Sequence, residues 1–579
     1  YYYKIPDSIR NNAERIDEKL ANIKVCDPAI GSGAFPVGMM SEIVRARTAL
    51  TPFIKDKDRT VYHFKRECIE NSLYGVDIDL GAVEIAKLRL WLSLVVDEDD
   101  IKQIKPLPNL DYKIVCGNSL LGVEKNIFNS GLFDELEKIK PQYFNETNPS
   151  KKQEYKKQID GLISKITNGH SEFDFEVYFS EVFHNDSGFN VTIANPPYIR
   201  IHKQDEKYKK VFKDKYNSAY KDYDIYVLFF EKSLSILRTN GILTFITPDK
   251  YLVREYGLKI REIFSKYSFI ELFDLSRAND IFEAATYPLI TIIQKNIHNK
   301  FIVTKFANTI KNINSDYSLT QIKQNKTDNF LIEIINPSDQ LIVNKIYQNS
   351  SPLSDIIKKE QIFCGTPRAV DYHSWENYIT DKPSKNSLKV IVCGHITPYF
   401  IDHKKKVRTV GKNIEEPYFN YKKDSMSLSR WEDFKVHPKI LIRGNDTRLT
   451  AAIDFEGSVF IGVYAISIEN YSLEDYYLLL SLLNSNLYQW LFKVLNPSIK
   501  VAGGYFSINS PQIFRLPMKK NIPESIRQDL INNVKNIISL TKSNTFINNK
   551  NQQDKFDKYI NNIDQIVYKL YNISKEEIF

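Results

Sequence analysis

The chain has 579 residues, 42% of them hydrophobic and 26% charged, with a net charge of +8. That composition is ordinary for a folded protein, but the length exceeds what one core holds, so two or three domains are expected. No apolar run of about 18 residues and no signal-peptide pattern occurs, which excludes a helical membrane span. Cys26, Cys68, Cys116, Cys364 and Cys393 are scattered without a C-x-x-C pair, which argues against a disulfide frame or zinc site and for a reducing cytoplasm. The positive charge admits a polyanionic partner without demanding one.

Residues 1–24 carry a charged helical pattern, and the chain opens without Met, so it is expected to be part of a longer polypeptide. "IKVCDPAIGSGAF" predicts a buried strand, a glycine turn and a helix starting near Pro36, where a proline's missing N–H has no partner to lose. "CIENSLYGVDID" predicts the second strand, "GAVEIAKLRLWLSLVV" an amphipathic helix and "YKIVCGNSLL" the third strand. The Lys/Glu-rich segment 131–169 is read as an inserted helical hairpin. The pattern resumes with a strand at 189–194, a helix at 224–239, a stop at Gly241, the strand "ILTFITP" and strands near 269–275 and 288–295. Strands alternating with helices predict an α/β domain over 1–310, an open and mainly parallel sheet covered on both faces.

An Asn/Lys-rich stretch, 311–349, is expected to be a junction. From 350 to 579 the chain reads as a mixed α+β domain. Short β-like runs such as "LKVIVCGHITPYF" and "PKILIRGN" precede one long helix over "LEDYYLLLSLLNSNLYQWLFKVL". Helices at 523–541 and 555–572 close it.

Four strand ends carry candidate chemistry. In Asp27-Pro28-Ala29-Ile30-Gly31-Ser32-Gly33-Ala34-Phe35, two glycines let the backbone approach a ligand at a parallel sheet's carboxyl edge. A dinucleotide fingerprint fails, because Pro36 stands where its third glycine belongs and the next strand-end acid, Asp77, lies too far along. Asp77, before Ile78, suits a ribose through charge-assisted hydrogen bonds. Gly117-Asn118-Ser119-Leu120 ends the third strand. In "VTIANPPYIR" an apolar strand stops at two prolines, holding up Asn195, Pro196, Pro197 and Tyr198 at a rigid corner.

Together these motifs resemble class I S-adenosylmethionine-dependent methyltransferases, and N-P-P-Y resembles DNA adenine-N6 methyltransferases of the gamma arrangement, as in large type IIG restriction-modification enzymes. "FDFEVYFSEVF" upstream and "KILIRGNDTRLTAAID", "LLNSNLYQWLFK" and "GGYFSINSPQIFRLP" downstream look like further landmarks of that family. The resemblance implies a Rossmann-like methyltransferase domain followed by a target-recognition domain, with S-adenosylmethionine as cofactor. It implies cofactor contacts from Asp27, Pro28, Ala29, Gly31, Gly33, Asp77, Ile78, Asn118, Ser119, Leu120 and Asn195, and no metal. The Asn195 side-chain oxygen and the Pro196 carbonyl would accept from the target amine, while Tyr198 stacks on a flipped base and Phe282 closes the pocket. Two departures stand out: Asn118 occupies a position where relatives carry Asp, and the T-P segment that covers the cofactor is expected upstream of residue 1.

For the recognition domain, Arg368, Arg408, Arg430, Arg443 and Arg448 are candidate base readers, and Lys404 and Lys405 candidate phosphate contacts. The expected function is sequence-specific methylation of adenine in double-stranded DNA, within a restriction-modification or phage-defence system of a bacterial cytoplasm. A nuclease upstream or on a separate component is an alternative context. Protein glutamine methylation is a second alternative, which the large C-terminal domain opposes, and a binding-only protein is opposed by the intact Asn195, Pro197 and Tyr198.

Overall fold

The computed structural model describes residues 5–55, 59–96, 109–123, 130–146, 148–167, 169, 173–275, 288–296, 301–306, 316–321, 337–357, 362–364, 375–409, 412–414, 416–496, 505–508, 510–542, 546 and 549–578. They fall into two compact units, Tyr1–Glu333 and Ile334–Phe579.

The first unit is built on a nine-stranded sheet: β1 Val25–Asp27, β2 Leu73–Asp77, β3 Ile114–Cys116, β4 Phe189–Ala194, β5 Leu237–Pro248, β6 Ser268–Asp274, β7 Pro288–Gln294, β8 Phe301–Phe306 and β9 Asp316–Gln321. Their order is β3-β2-β1-β4-β5-β7-β6-β8-β9. The five strands from β3 to β5 run parallel, while β7 is antiparallel to both β5 and β6. Parallel neighbours require crossovers, and the helices Ala34–Leu50 and Leu80–Val95 supply them. Val25, Leu73 and Ile114 pack with Met40, Val83, Ala86 and Leu90 of these helices in one buried cluster.

Sequence expectation and structure part in three places here. The helix expected to reach residue 239 ends at Ile236, because Leu237 already pairs with Phe189 on β4. Asn240, at a left-handed φ of 63°, then turns the chain ahead of the Gly241 expected to stop it. The segment read as a junction, 311–349, holds β9 of the first unit and the helix Pro337–Tyr347 of the second. Its Asn and Lys residues hide the periodicity. Helices Ser130–Asn145 and Pro149–Ile166 occupy the inserted segment, joined through Leu136, Tyr143, Ile159 and Ile163.

The second unit contains two four-stranded sheets. One orders Ile362–Cys364, Val463–Ile466, Lys439–Arg443 and Ala451–Asp454, all antiparallel. The other contains a parallel pair, Ser387–Val392 with Ser458–Ile461. The expected single long helix is two, Leu473–Asn484 and Asn486–Leu495, since Ser485 is extended (φ −66°, ψ 150°) and its hydroxyl caps the second helix by accepting from Tyr488 N. Helices Glu524–Thr541 and Lys550–Tyr571 follow. Among the described residues no helix is long and apolar enough to cross a membrane.

The N-terminal helix Ala13–Ala21 is held to the first unit by a buried ionic cluster. Asp17 accepts from Arg47 Nε at 3.0 Å and from Arg59 Nη1 and Nη2 at 2.9 and 2.8 Å, and both guanidiniums lie over the Phe64 ring. Burial pushes the Asp17 carboxyl up, but the hydrogen bonds and charges of Arg59 and Arg47 outweigh it and hold the group down to about 2. A depressed carboxylate stabilises the fold above its unfolded value and loses that contribution as pH falls toward the folded one. Asp17→Asn should therefore cost about 3 kcal/mol near neutrality, where it leaves Arg59 without its carboxylate and Arg47 with Glu67 alone. The gap to the parent in denaturant-unfolding free energy should shrink as pH falls from about 4 toward 2.

Candidate active site

Because β3, β2, β1 and β4 are adjacent and parallel, their carboxyl ends present all four sequence motifs along one edge of the sheet, in the order Asn118, Asp77, Gly31–Gly33, Asn195. Ligands of open α/β sheets bind at such an edge, where the strand order reverses.

The glycine turn is held from two sides. Gly31 N donates to Asp77 Oδ2 at 2.8 Å, and Ile30 N donates to Val76 O at 2.9 Å. Gly31 and Gly33 sit at φ 52° and 78°, the left-handed region that side chains resist. Gly33 precedes the helix Ala34–Leu50, which begins two residues before Pro36, so Pro36 lies in the first turn. A Cβ on Gly33 would lie 3.0 Å from Ala86 Cβ, whereas one on Gly31 meets nothing within 4 Å.

Asp27 ends β1 almost fully buried. Its Oδ1 accepts from Ala29 N at 3.0 Å, and its Oδ2 is buried without a partner. Burial raises the carboxyl to about 8, and the neighbouring Asp77 charge adds to it against the Ala29 hydrogen bond. An unsatisfied acceptor beside a second carboxylate is suited to a cationic group. Asp77 Oδ1 accepts from Asp79 N at 3.0 Å, and Asp79 in turn caps the helix Leu80–Val95 through Gly81 N. Ile78, next along, exposes 67% of its surface, an apolar shelf at the same edge.

At the end of β3, Asn118 Oδ1 accepts from Leu120 N at 3.0 Å. Ser119 and Leu120, expected as cofactor contacts, are both buried: the Ser119 hydroxyl donates to Pro28 O at 2.6 Å, and Leu120 O accepts from Tyr216 OH at 2.8 Å. The Ser119 side chain and the Leu120 carbonyl tie this loop to the glycine turn and to the segment after Tyr198. Phe173 explains the upstream "FDFEVYF" run, since a Cβ on Gly117 would meet its ring at 2.5 Å.

At the fourth motif Asn195, Pro197 and Tyr198 are exposed and Pro196 is buried. The Tyr198 hydroxyl donates to Asn195 Oδ1 at 2.6 Å and lies 3.1 Å from the Ile246 carbonyl, while its ring packs edge-on against Tyr226. Desolvation pushes the Tyr198 hydroxyl up to about 12, so it remains a donor. Nothing in the linear motif announced this bond. Phe282 lies outside the described residues.

The expected DNA-contacting residues divide sharply. Arg443 Nε donates to Ile396 O at 2.8 Å and Nη1 to Asp446 Oδ2 at 3.1 Å, and Arg448 Nη2 donates to Asn484 O at 3.1 Å. These two guanidiniums buttress turns instead of standing free on loops as expected, because buried carbonyls nearby needed donors. Arg430 lies over the Trp375 ring at 5.7 Å. Lys404 and Lys405 occupy the exposed turn before the strand Val407–Thr409, which carries Arg408. Arg368 lies outside the described residues. No group of three or more metal-ligating side chains forms among the described residues.

Residues 71–282 match the Eco57I restriction-modification methylase family, and residues 396–518 match the TaqI-like C-terminal specificity domain. The chain thus pairs an Eco57I-like methylase region with a TaqI-like specificity region. A Methanocaldococcus jannaschii protein, assigned by inference as a type II restriction enzyme and methyltransferase, is 24% identical over 97% of this chain and 53% of its own length. The type II restriction enzyme and methyltransferase RM.Eco57I of Escherichia coli is 24% identical over 60% of this chain and 32% of its own. The chain therefore spans about half or less of the length of these curated relatives. The structure of the type IIL restriction-modification enzyme MmeI with DNA shares the fold, with a TM-score of 0.51 at 11% identity over 98% of this chain and 73% of that one.

The two glycines of the methylase region should respond differently to the same change. Gly31→Ala meets only left-handed strain, about 1 kcal/mol, whereas Gly33→Ala adds a clash with Ala86 and should cost about 2–3 kcal/mol in thermal unfolding.

Proposed function

We propose that this chain transfers a methyl group from S-adenosylmethionine to the N6 amine of an adenine flipped out of double-stranded DNA, as the modification and sequence-recognition part of a restriction-modification system. The observation that carries the reading is the alignment of Asn118, Asp77, the glycine turn and the Asn195–Tyr198 corner on one sheet edge. The TaqI-like match at 396–518 supports DNA as the substrate over a protein amide. The names of these Methanocaldococcus jannaschii and Escherichia coli relatives join methyltransferase to restriction enzyme. They support a bifunctional context, with any nuclease lying outside this chain's motifs.

The residues fit the cofactor. The turn Gly31–Gly33 approaches closely without side chains, Asp77 offers the lone pairs its backbone partners leave free, and Ile78 gives an apolar face. The unpartnered Asp27 Oδ2 suits the ammonium of the methionine moiety. When bound, S-adenosylmethionine supplies an electrophilic methyl on a sulfonium. The protein's task is to prepare the amine, whose lone pair is delocalised into the purine ring. Asn195 Oδ1 and the Pro196 carbonyl accept its two N–H bonds, which lets the nitrogen become tetrahedral and expose its lone pair. Fixed acceptors for charge that develops at the amine are transition-state electrostatics, so no general base is needed before attack. Tyr198 supplies the stacking face for the extruded base.

Asn195→Ala should lower methyl transfer to duplex DNA about a hundredfold or more, roughly 3 kcal/mol of barrier, with S-adenosylmethionine binding retained. Full activity in that variant would remove Asn195 from the acceptor role. Asp27 gives a second test. A carboxyl raised to about 8 is protonated in the free protein at neutral pH and destabilises the unliganded fold progressively as pH rises from about 4 to 8. A cationic ligand favours its ionised form, so cofactor binding should release a proton near neutrality and tighten as pH rises toward 8. Calorimetry in buffers of different ionisation enthalpy measures that release, and Asp27→Asn should abolish it.

A further inference from the structure

Between the Asn-Pro-Pro-Tyr corner and the helix Tyr226–Ile236, the chain leaves the sheet for a strap, residues 200–223, that the chemistry above does not use. Its base is closed: Ile201 N donates to Tyr223 O and Ile225 N to Ile199 O, each at 2.9 Å, and Arg200 pairs with Asp222 at 3.1 Å. That base begins two residues past Tyr198. The other end is tied to the loop after β3, where Tyr216 OH donates to Leu120 O at 2.8 Å, and Phe212 is 2% exposed. Ser218 N and Asn217 N donate to the Glu231 carboxylate, fixing the return. The strap is therefore an anchored span between the target-amine corner and the loop bearing Asn118.

Its charge is concentrated. Residues 200–222 contain eight lysines and arginines against four acids, a net +4 out of the chain's +8. The strap's helix, Glu206–Lys215, buries Phe212 and exposes Lys207, Lys210 and Lys213, and Lys203 is exposed just before it. Lys209 pairs with Glu206 and Lys221 with Glu255, but no carboxylate among the described residues pairs with those four. Like charges three residues apart on a helix repel and destabilise it, a cost that a polyanion along that face removes.

We propose that the strap is a DNA-backbone clamp belonging to the methylase region. Lys203, Lys207, Lys210 and Lys213 bind phosphates flanking the flipped nucleotide, independently of base reading by the specificity region. Lysine serves here as a point charge that positions the duplex without reading sequence. The proposal rests on the DNA-methylation reading and adds to it where the backbone is gripped.

The test measures binding of the full chain to a short mixed-sequence duplex over a range of salt concentrations. The triple variant Lys207→Gln, Lys210→Gln, Lys213→Gln should weaken binding tenfold or more at low salt and reduce the slope of log affinity against log salt by about 2 to 3, at about 0.9 per phosphate contact. The single Lys210→Gln, an exposed change that leaves the fold intact, should reduce the slope by about 1. Thermal unfolding should hold or rise slightly as the repulsion is relieved, and S-adenosylmethionine affinity should not move. A control with the same charge loss elsewhere, Lys151→Gln, Lys157→Gln, Lys165→Gln on the exposed face of the helix Pro149–Ile166, should bind like the parent. Equal losses in the triple variant and the control would reduce the effect to net charge and overturn the clamp. Parental affinity and slope in the triple and single variants would overturn it as well. Absence of duplex binding by the parent chain would instead refute the function on which the clamp rests.

Discussion

The hydrogen bond from Gly31 N to Asp77 Oδ2, 2.8 Å long, joins the ends of two neighbouring strands. Much of the site depends on it. The glycine turn occupies left-handed backbone that has no intrinsic preference for one shape, and the Asp77 carboxylate selects that shape from the adjacent strand. The same carboxylate accepts from Asp79 N, which fixes the cap of the next helix. One acid thus orders two loop-to-helix transitions and still faces the ligand edge. Asp77 sits at the end of a parallel strand whose register with β1 pairs Asp27 with Gly75. A slip there would separate the carboxylate from the amide it holds.

The parts of this architecture legible in the sequence were those with strong local signals. The strands ending at Asp27, Asp77, Cys116 and Ala194 announced themselves by apolar runs followed by glycine, acid or proline, and the family match at 71–282 agrees with the resemblance those residues carry. Less legible were features set by contacts distant in sequence. The break at Ser485 lies inside an almost unbroken apolar pattern, and only the hydroxyl cap and the need to turn the second helix reveal it. Strand β9, "DYSLTQ", is polar because its place at the sheet's edge relaxes the demand for apolar residues on both faces, and the apolar β8 is set between Asn/Lys-rich stretches that obscure it. The bond between Tyr198 and Asn195 spans three residues, yet its geometry depends on the prolines between them and on Ile246 of another strand.

The arginines of the specificity region show why a residue type on a loop is a weak signal. Arg443 ends the strand Lys439–Arg443 and Arg448 lies in the segment that follows, and their guanidiniums are taken up by the carbonyls of Ile396 and Asn484, which would be costly to bury unpaired. Asn484 itself is consumed in the same way, accepting from Ala451 N and donating to Ala451 O at the edge of the four-stranded sheet. The side-chain amide shares that position with Tyr399 N, which also donates to Ala451 O at 2.9 Å, and the two cover the edge together. Sequence offers donors and acceptors; burial decides which remain available to a partner.

The two prolines after Asn195 have a consequence in hydrogen-bond polarity. Neither carries an N–H, so positions 196 and 197 offer backbone oxygens and no backbone hydrogens. The Tyr198 proton is already engaged by Asn195 and Ile246. On the adenine-methylation proposal, an amino group finds acceptors at these two positions, whereas a keto oxygen at the same ring position finds no backbone donor from them. On that proposal the two prolines thereby bias the corner toward a six-amino over a six-oxo purine, a preference written into the backbone and not into any one side chain.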